Sequence, residues 1–123
     1  MKKSHLKRKL SQVEAFESPR VELEQYQSPP ELAADIVHSC YMQGNEKVVD
    51  LGTGTGILAI GAALSGLEVT AVDIDSDALE LAEKNAEKLG VELDLIESDI
   101  SSFDPDERFD AVIMNPPFSI QSD

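Results

Sequence analysis

The stretch Lys47-Val48-Val49-Asp50-Leu51-Gly52-Thr53-Gly54-Thr55-Gly56 decides the fold of this 123-residue chain. Its first five residues are a short, mostly apolar run that is typical of a buried strand. The three alternating glycines that follow predict a sharp turn in which a ligand can sit against the main chain. Small residues recur over positions 57–64, which favours a helix packed closely on a sheet. The strand, the turn and the helix together predict a cradle for a small ligand.

Strands and helices alternate along the rest of the chain. Besides residues 47–51, we predict strands at 69–73, 91–96 and 110–114, and helices at 4–16, 28–43, 57–64 and 76–89. The predicted N-caps are Ser4, Ser28 and either Ser76 or Asp77. This alternation predicts an α/β fold, with a Rossmann-like sheet of about four parallel strands, right-handed crossovers and flanking helices.

The glycine spacing alone leaves two cofactors open. Gly54–Ala59 satisfies the G-x-G-x-x-A variant of the dinucleotide fingerprint, and Asp73 ends the second strand, where a ribose-binding acid belongs. The sequence is therefore compatible with a nicotinamide dehydrogenase.

Three features outside the loop favour S-adenosylmethionine (SAM) instead. Asp50 can orient an amino-acid ammonium group, Asp99 follows the third strand, where an adenine edge would lie, and Asn115 follows the fourth, where a methyl acceptor would lie.

The segment Asn115-Pro116-Pro117-Phe118 indicates methyl transfer to a planar, weakly nucleophilic nitrogen, such as the amino group of adenine or of a carboxamide. The Asn115 side-chain oxygen and the Pro116 carbonyl would accept hydrogen bonds from that nitrogen and help it to pyramidalise. The prolines keep the backbone extended. Phe118 offers a face for stacking a base, worth roughly 1–3 kcal/mol. The plainer alternative is a Pro-Pro turn that ends a buried strand.

The formal charge of −14 is unevenly distributed. Residues 1–20 carry six basic and two acidic side chains, a net charge of +4, whereas residues 21–123 carry a net charge of −18. A basic arm on an acidic body favours contacts with a nucleic-acid backbone, although a solvated helix face explains the arm almost equally well. The acidic body argues against a protein that grips nucleic acid over its whole surface.

The composition also limits compartment and metal chemistry. The lone Cys40 excludes an internal disulfide and fits a reducing cytoplasm. No apolar run approaches the ~18 residues of a membrane span, and we see no signal peptide, so we expect a cytoplasmic protein without membrane contact. Two histidines and one cysteine, widely scattered, give no metal-ligand spacing, so we expect no metal.

Residues 50–56, Asp73, Asp99 and residues 115–118 together resemble a class I SAM-dependent methyltransferase. The N-terminal third, where Leu23-Glu24-Gln25-Tyr26-Gln27-Ser28 precedes a Pro-led helix, is similar to the methyltransferase-like protein 5 family. That family, found in archaea and eukaryotes, methylates N6 of an adenosine in small-subunit ribosomal RNA. Its eukaryotic members work with a small activator subunit that pairs with the sheet. The resemblance implies SAM as cofactor, ribosomal RNA as substrate and a similar activator as partner.

The resemblance also implies roles for individual residues. The implied cofactor-binding residues are Gln25, Tyr26, Ser28, Asp50, Gly52, Thr53, Gly54, Thr55, Gly56, Ile57, Asp73, Ile74, Asp99, Ile100 and Asn115. Among these, Asp73 would bind the ribose hydroxyls, while Asp99 and Ile100 would hold the adenine. Residues 1–27 would form a helical arm and cofactor-covering segment, and residues 28–123 a SAM-binding Rossmann-like domain.

The implied catalytic residues are Asn115, Pro116 and Phe118, which would receive a flipped target adenine. The sequence departs from the family in two respects. Ser119 stands where the family usually has glycine, and the chain supplies four strands of a seven-stranded sheet. We therefore expect residues 1–123 alone to be inactive, with residues 112–114 exposed on the open edge of the fourth strand.

Three alternative functions stay open. A glutamine-N5 methyltransferase acting on a release factor uses a similar Asn-Pro-Pro-aromatic segment, although Tyr is commoner than Phe there. A guanine-N2 methyltransferase of ribosomal RNA shares the same four residues. A non-catalytic module that binds SAM, or only a partner subunit, is an alternative from a different class of protein.

Overall fold

A computed structural model describes residues 2–15, 29–103 and 108–114 of the chain. Its helices are α1 (Lys3–Leu10), α2 (Pro30–Met42), α3 (Ile57–Leu64) and α4 (Ser76–Lys88), with a 3-10 turn at Ile100–Ser102. Its strands are β1 (Lys47–Leu51), β2 (Glu68–Asp73), β3 (Asp94–Glu97) and β4 (Ala111–Ile113). The strands form one parallel sheet in the order β3-β2-β1-β4. The predicted α/β class, with four parallel strands and flanking helices, is confirmed.

The strand register brings the carboxyl ends of the four strands to one edge of the sheet. It aligns Leu51 with Val72, Asp73 with Glu97, and Asp50 with Ile113. The glycine loop after β1, Asp73 at the end of β2 and the turn after β3 therefore follow neighbouring strands. This edge is where open α/β sheets bind their ligands.

The first helix is packed into the core of the protein. Leu6 and Leu10 of α1 are almost fully buried and belong to the same apolar cluster as the residues of α2, α3 and the sheet. Gly61 of α3 makes this packing close, because a Cβ atom added there would lie 3.1 Å from Val37 and 3.2 Å from Leu10. The three helices thus pack so closely at Gly61 that even a methyl group there would require its neighbours to shift.

Two predicted helix starts were wrong. Helix α1 begins at Lys3, so Ser4 lies inside it rather than at its N-cap. The N-cap of α4 is Asp75, and neither Ser76 nor Asp77, because the Asp75 carboxylate accepts a hydrogen bond from the Asp77 backbone N–H at 3.0 Å. The predicted N-cap Ser28 lies outside the described residues, and α2 begins at Pro30.

Helix α1 and strand β3 are shorter than predicted. Helix α1 ends at Leu10 instead of residue 16, and the Ser11 hydroxyl there donates to the Arg8 carbonyl at 2.6 Å. Strand β3 begins at Asp94 instead of Val91, because the Val91 N–H donates to the Ala86 carbonyl and so completes the end of α4.

The expectation that residues 112–114 are all exposed was wrong for Ile113. Its side chain is 6% exposed, whereas Val112 and Met114 are 58% and 50% exposed. Successive side chains of a strand point to opposite faces, so Ile113 packs into the core while its two neighbours face outward.

Candidate cofactor site

The glycine loop after β1 is held against the end of β2 by its own main chain. The N–H groups of Gly52 and Thr53 both donate to the Val72 carbonyl, at 2.8 and 2.9 Å. Gly52 and Gly54 have φ angles of 75° and 55°, in the left-handed region that side chains disfavour. Both are partly exposed, whereas Thr53 and Thr55 are buried beneath them. The loop therefore presents main chain, and not side chains, to the solvent.

Asp73 joins the glycine loop to the start of α4. One carboxylate oxygen accepts from the Gly54 N–H at 2.9 Å, and the other accepts from the Asp75 N–H at 2.9 Å. A carboxylate has about four acceptor positions, so two remain for other donors. Asp73 can thus shape the loop and also accept hydrogen bonds from ribose hydroxyls.

Asp50 lies fully buried beneath the glycine loop, at the end of β1. Its Oδ2 accepts from the Thr53 hydroxyl at 2.7 Å, and its Oδ1 has no hydrogen-bond partner among the described residues. Burial raises the pKa of Asp50 to about 7; nearby Asp73 adds to this, while the Thr53 hydroxyl and the Ala59 N–H oppose it. An acceptor that is buried and incompletely bonded suits a cationic donor, such as an amino-acid ammonium group.

The residues after β2 and β3 add apolar surface beside the loop. Ile74 and Ile100 are 51% and 39% exposed. A Cβ atom added to Gly52 would lie 3.4 Å from Cδ1 of Ile100, so the loop and the turn after β3 are in contact. Two exposed isoleucines at this edge provide a surface on which a flat ring can pack.

Asp99 is exposed and begins the 3-10 turn. Its Oδ1 accepts from both the backbone N–H and the hydroxyl of Ser101, at 2.9 and 2.8 Å, and these bonds lower its pKa. The carboxylate therefore stays ionised and can accept a hydrogen bond from an adenine amino group.

The predicted residues divide into those that the structure brings together and those that it does not describe. The structure brings eleven of them together at the glycine loop. Those around the loop are Gly52, Gly54, Gly56 and Asp73, and those buried beneath it are Asp50, Thr53, Thr55 and Ile57. The residues that follow the neighbouring strands are Ile74, Asp99 and Ile100. Six predicted site residues lie outside the described residues: Gln25, Tyr26, Ser28, Asn115, Pro116 and Phe118. Strand β4, which precedes Asn115, aligns Ile113 with Asp50 and so ends beside the loop.

Sequence reasoning missed Asn85, which is fully buried on α4. Its side-chain amide donates to the Thr55 carbonyl of the loop at 3.0 Å. The available signal was its place on the buried face of α4, where Ala78, Ala82 and Ala86 recur at helical spacing. A polar residue among such positions indicates a specific hydrogen-bond partner.

Beyond this loop, the described residues show no metal site and no membrane-spanning helix, and they form a groove. Within residues 2–15, 29–103 and 108–114, no group of three or more His, Cys, Asp or Glu side chains is placed to hold a metal ion. No helix in these ranges has the length and apolar character needed to cross a membrane. A groove of about 620 Å³ between α1 and the start of α2 is lined by Ser4, Lys7, Arg8, Ser11, Pro29, Pro30 and Glu31.

The fold is an open α/β fold whose glycine loop lies at the carboxyl edge of a parallel sheet, where proteins of this class bind ligands. Residues 32–123 match the methyltransferase small domain. The chain therefore belongs to this family of class I SAM-dependent methyltransferases, which confirms the resemblance drawn from its motifs.

Individual relatives extend the comparison. The chain is 39% identical over 127 residues to the rRNA N(6)-adenosine-methyltransferase METTL5 of Danio rerio, covering 96% of this chain and 61% of the relative. The crystal structure of a proposed RNA methyltransferase from Pyrococcus horikoshii superposes with a TM-score of 0.85 at 36% identity, covering 98% of this chain and 61% of that one. A release factor glutamine methyltransferase of Rhodopirellula baltica is 42% identical over 81 residues, covering 62% of this chain and 27% of the relative. The chain thus spans about three fifths of the length of the first two.

Proposed function

We propose that this chain is the cofactor-binding part of a SAM-dependent methyltransferase that acts on N6 of an adenosine in ribosomal RNA. The observation that carries the proposal is the meeting of the glycine loop, Asp73 and the end of β4 at one edge of the sheet, directly before Asn115. The similarity to METTL5 of Danio rerio over 96% of the chain supports the same substrate class.

The described residues fit SAM group by group. Asp73 offers acceptor positions for the ribose hydroxyls, and the exposed side chains of Ile74 and Ile100 offer apolar surface for the adenine. Asp50 offers an unpartnered carboxyl oxygen to the ammonium group of the methionine part, and the approach of that cation favours the ionised form of Asp50. Bound SAM supplies an electrophilic methyl group, so the chain has to orient both reactants and exclude water.

Asn115, Pro116 and Phe118 are the proposed catalytic residues. The amide oxygen of Asn115 and the carbonyl of Pro116 accept hydrogen bonds from the adenine amino group, which draws its lone pair out of the ring system. Phe118 stacks on the flipped base. No general base is required, because the methylated nitrogen is acidic while it carries its positive charge and loses its proton readily.

The test is methyl transfer from radiolabelled SAM to ribosomal RNA by a full-length version of the protein, by its Asn115→Ala variant and by residues 1–123 alone. We expect the full-length protein to label RNA, the variant to lose that activity while calorimetry still detects SAM binding, and residues 1–123 alone to give little or no label. Undiminished labelling by Asn115→Ala would contradict the catalytic role. Binding of NAD with no binding of SAM would contradict the methyltransferase assignment.

A glutamine methyltransferase is the second candidate, because the Rhodopirellula baltica relative is 42% identical over 81 residues. Its substrate would be a carboxamide nitrogen, which is also planar and weakly nucleophilic. The same labelling reaction discriminates the two functions when a release factor replaces RNA. Label on the release factor alone would favour the glutamine methyltransferase.

A small activator subunit is proposed as a partner at an edge of the sheet. Among the described residues, β3 and β4 each have a neighbouring strand on one side only. An edge strand presents unpaired backbone groups that a strand of another chain can join. Co-purification with a candidate activator, followed by hydrogen exchange of the β3 and β4 amides, tests this proposal.

A further inference from the structure

We propose that Asn85 is a positioning residue of the cofactor site, which fixes the glycine loop relative to the segment after α1. The inference rests on the proposed use of SAM. Both N–H groups of the Asn85 amide are used, one donating to the Thr55 carbonyl at 3.0 Å and the other to the Glu14 carbonyl at 3.1 Å. Its Oδ1 accepts from the Glu14 N–H at 2.9 Å. One buried side chain therefore joins two segments that are 41 residues apart in sequence.

A second contact of α4 holds the adjacent residue of the loop. A Cβ atom added to Gly56 would lie 2.9 Å from Cβ of Ala82, which stands one helical turn before Asn85. Helix α4 thus contacts the loop by a hydrogen bond at Thr55 and by direct packing at Gly56. In the same loop, the Gly54 N–H donates a hydrogen bond to the Asp73 carboxylate. Because Gly54 and Thr55 are adjacent, a displacement of Thr55 would also move this hydrogen bond at the predicted ribose site.

The other contacts between α4 and the segment after α1 lie at the surface. Lys84 and Lys88 lie 3.5 and 4.0 Å from the Glu14 carboxylate, and Lys88 also donates to the Gln12 carbonyl at 2.9 Å. These side chains are largely exposed, and exposed ion pairs contribute little to stability. Among the described residues, the side-chain hydrogen bonds that connect Thr55 of the loop with Glu14 are those of Asn85.

The chemistry of the site requires an amide at position 85. Two carbonyl groups, of Glu14 and Thr55, need donors, and the Glu14 N–H needs an acceptor. Aspartate has nearly the same shape but would direct carboxylate oxygen at both carbonyls. The Asn85→Asp variant therefore removes both donated hydrogen bonds with little change in volume.

The experiment measures the affinity for SAM by calorimetry and the hydrogen exchange of the Gly54 and Gly56 amides. We expect Asn85→Asp to weaken SAM binding at least tenfold and to accelerate exchange at both glycines, at a temperature where the variant is fully folded. If Asn85→Asp does not fold, Asn85→Ser replaces it, because serine leaves room for a water between the two carbonyls. We expect the same direction of change from that variant.

Two control variants separate positioning from general stability. Leu89→Ala removes the buried side chain of the residue that caps the C-terminus of α4, and Lys88→Met releases Gln12 without affecting Thr55. We expect both to leave SAM affinity within twofold of the wild type. An equal loss of affinity in Leu89→Ala and Asn85→Asp would overturn the inference, as would unchanged affinity in Asn85→Asp. Absence of SAM binding by the wild type would contradict the proposed function. Unchanged hydrogen exchange at Gly54 and Gly56 in Asn85→Asp would contradict the role of Asn85 alone.

Discussion

Asp50 combines complete burial with a carboxylate that is only partly hydrogen-bonded. Desolvation disfavours its charged form, which raises its pKa from the usual 3.8 to about 7. Between about pH 4 and pH 7 the folded protein keeps this proton while the unfolded chain has released it. Unfolding then releases a proton, so raising the pH through this range lowers the free energy of unfolding.

We expect the Asp50→Asn variant to lose this dependence on pH. In the wild type, Asp50 contributes a fall in unfolding free energy of up to about 1.4 kcal/mol per pH unit between pH 4 and pH 7, and no further change above pH 7. Urea unfolding at intervals from pH 4 to pH 9 measures both proteins.

The control for this prediction is Asp99→Asn. The pKa of Asp99 is lowered, so the stability that it contributes is present above pH 4 and is lost only as the pH falls below that value. Its replacement should leave the slope between pH 4 and pH 7 unchanged. A wild-type slope that survives in Asp50→Asn would show that another group titrates there.

At the scale of elements, the contact between α3 and α4 depends on Gly56. This residue is the N-cap of α3, with a φ of 87°, and faces Ala82. Gly66 has a φ of 91° and nothing within 4 Å of an added Cβ, which makes it a matched control. Alanine at either position costs about 1–2 kcal/mol for the left-handed backbone. At Gly56 alone the new methyl group also overlaps Ala82.

We therefore expect Gly56→Ala to lower the free energy of unfolding by about 1–3 kcal/mol more than Gly66→Ala does, because of this overlap. Chemical denaturation of the two variants and the wild type measures the difference. Equal losses would mean that α4 moves away from α3 at no cost, which would also weaken the argument that α4 fixes the glycine loop.

The elements that the sequence predicted best are those with a local cause. Strand β1, the glycine loop and helix α3 follow from an apolar run, three glycines and a stretch of small residues, and the structure has β1 and α3 at the predicted bounds. The start of β3 was misplaced because the Val91 N–H bonds to the end of α4, which a strand pattern does not reveal. The N-cap of α4 was missed by one residue, because several adjacent polar side chains can all serve as caps.

The candidate site was predictable only where neighbouring strands supply its residues. The alternation of strands and helices is enough to predict that Asp73 and Asp99 lie at one edge of a parallel sheet. The contact of Ile100 with Gly52 and the bonds of Asn85 to Glu14 and Thr55 depend on tertiary packing. Their partners are separated by 30 to 71 residues, so no local pattern specifies them.

At the scale of the whole molecule, the charge on α1 is partly neutralised within the fold. The basic arm predicted from the sequence includes Lys3 and Lys7, whose Nζ atoms lie 2.9 and 3.6 Å from Asp35 and Glu31 on α2. Arg8 is exposed, lines the groove between α1 and α2, and forms no ion pair with another described residue. If the proposed RNA substrate is correct, we predict that Arg8, which combines exposure with a place in this groove, contacts an RNA phosphate.

Arg8→Gln should weaken RNA binding more than Lys3→Gln, although both remove one positive charge from the same helix. A side chain that neutralises a phosphate releases a counterion, so its loss lowers the slope of log affinity against log salt concentration by about 0.7 for single-stranded RNA. We expect this change for Arg8→Gln and a smaller one for Lys3→Gln, because Asp35 already neutralises Lys3. Titrations of a ribosomal RNA fragment at several salt concentrations measure both slopes. The acidic body, with a net charge of −18 over residues 21–123, repels RNA to the same extent in both variants. Any difference between their salt slopes therefore comes from the substituted side chain. Equal salt slopes for Arg8→Gln and Lys3→Gln would contradict a phosphate contact at Arg8.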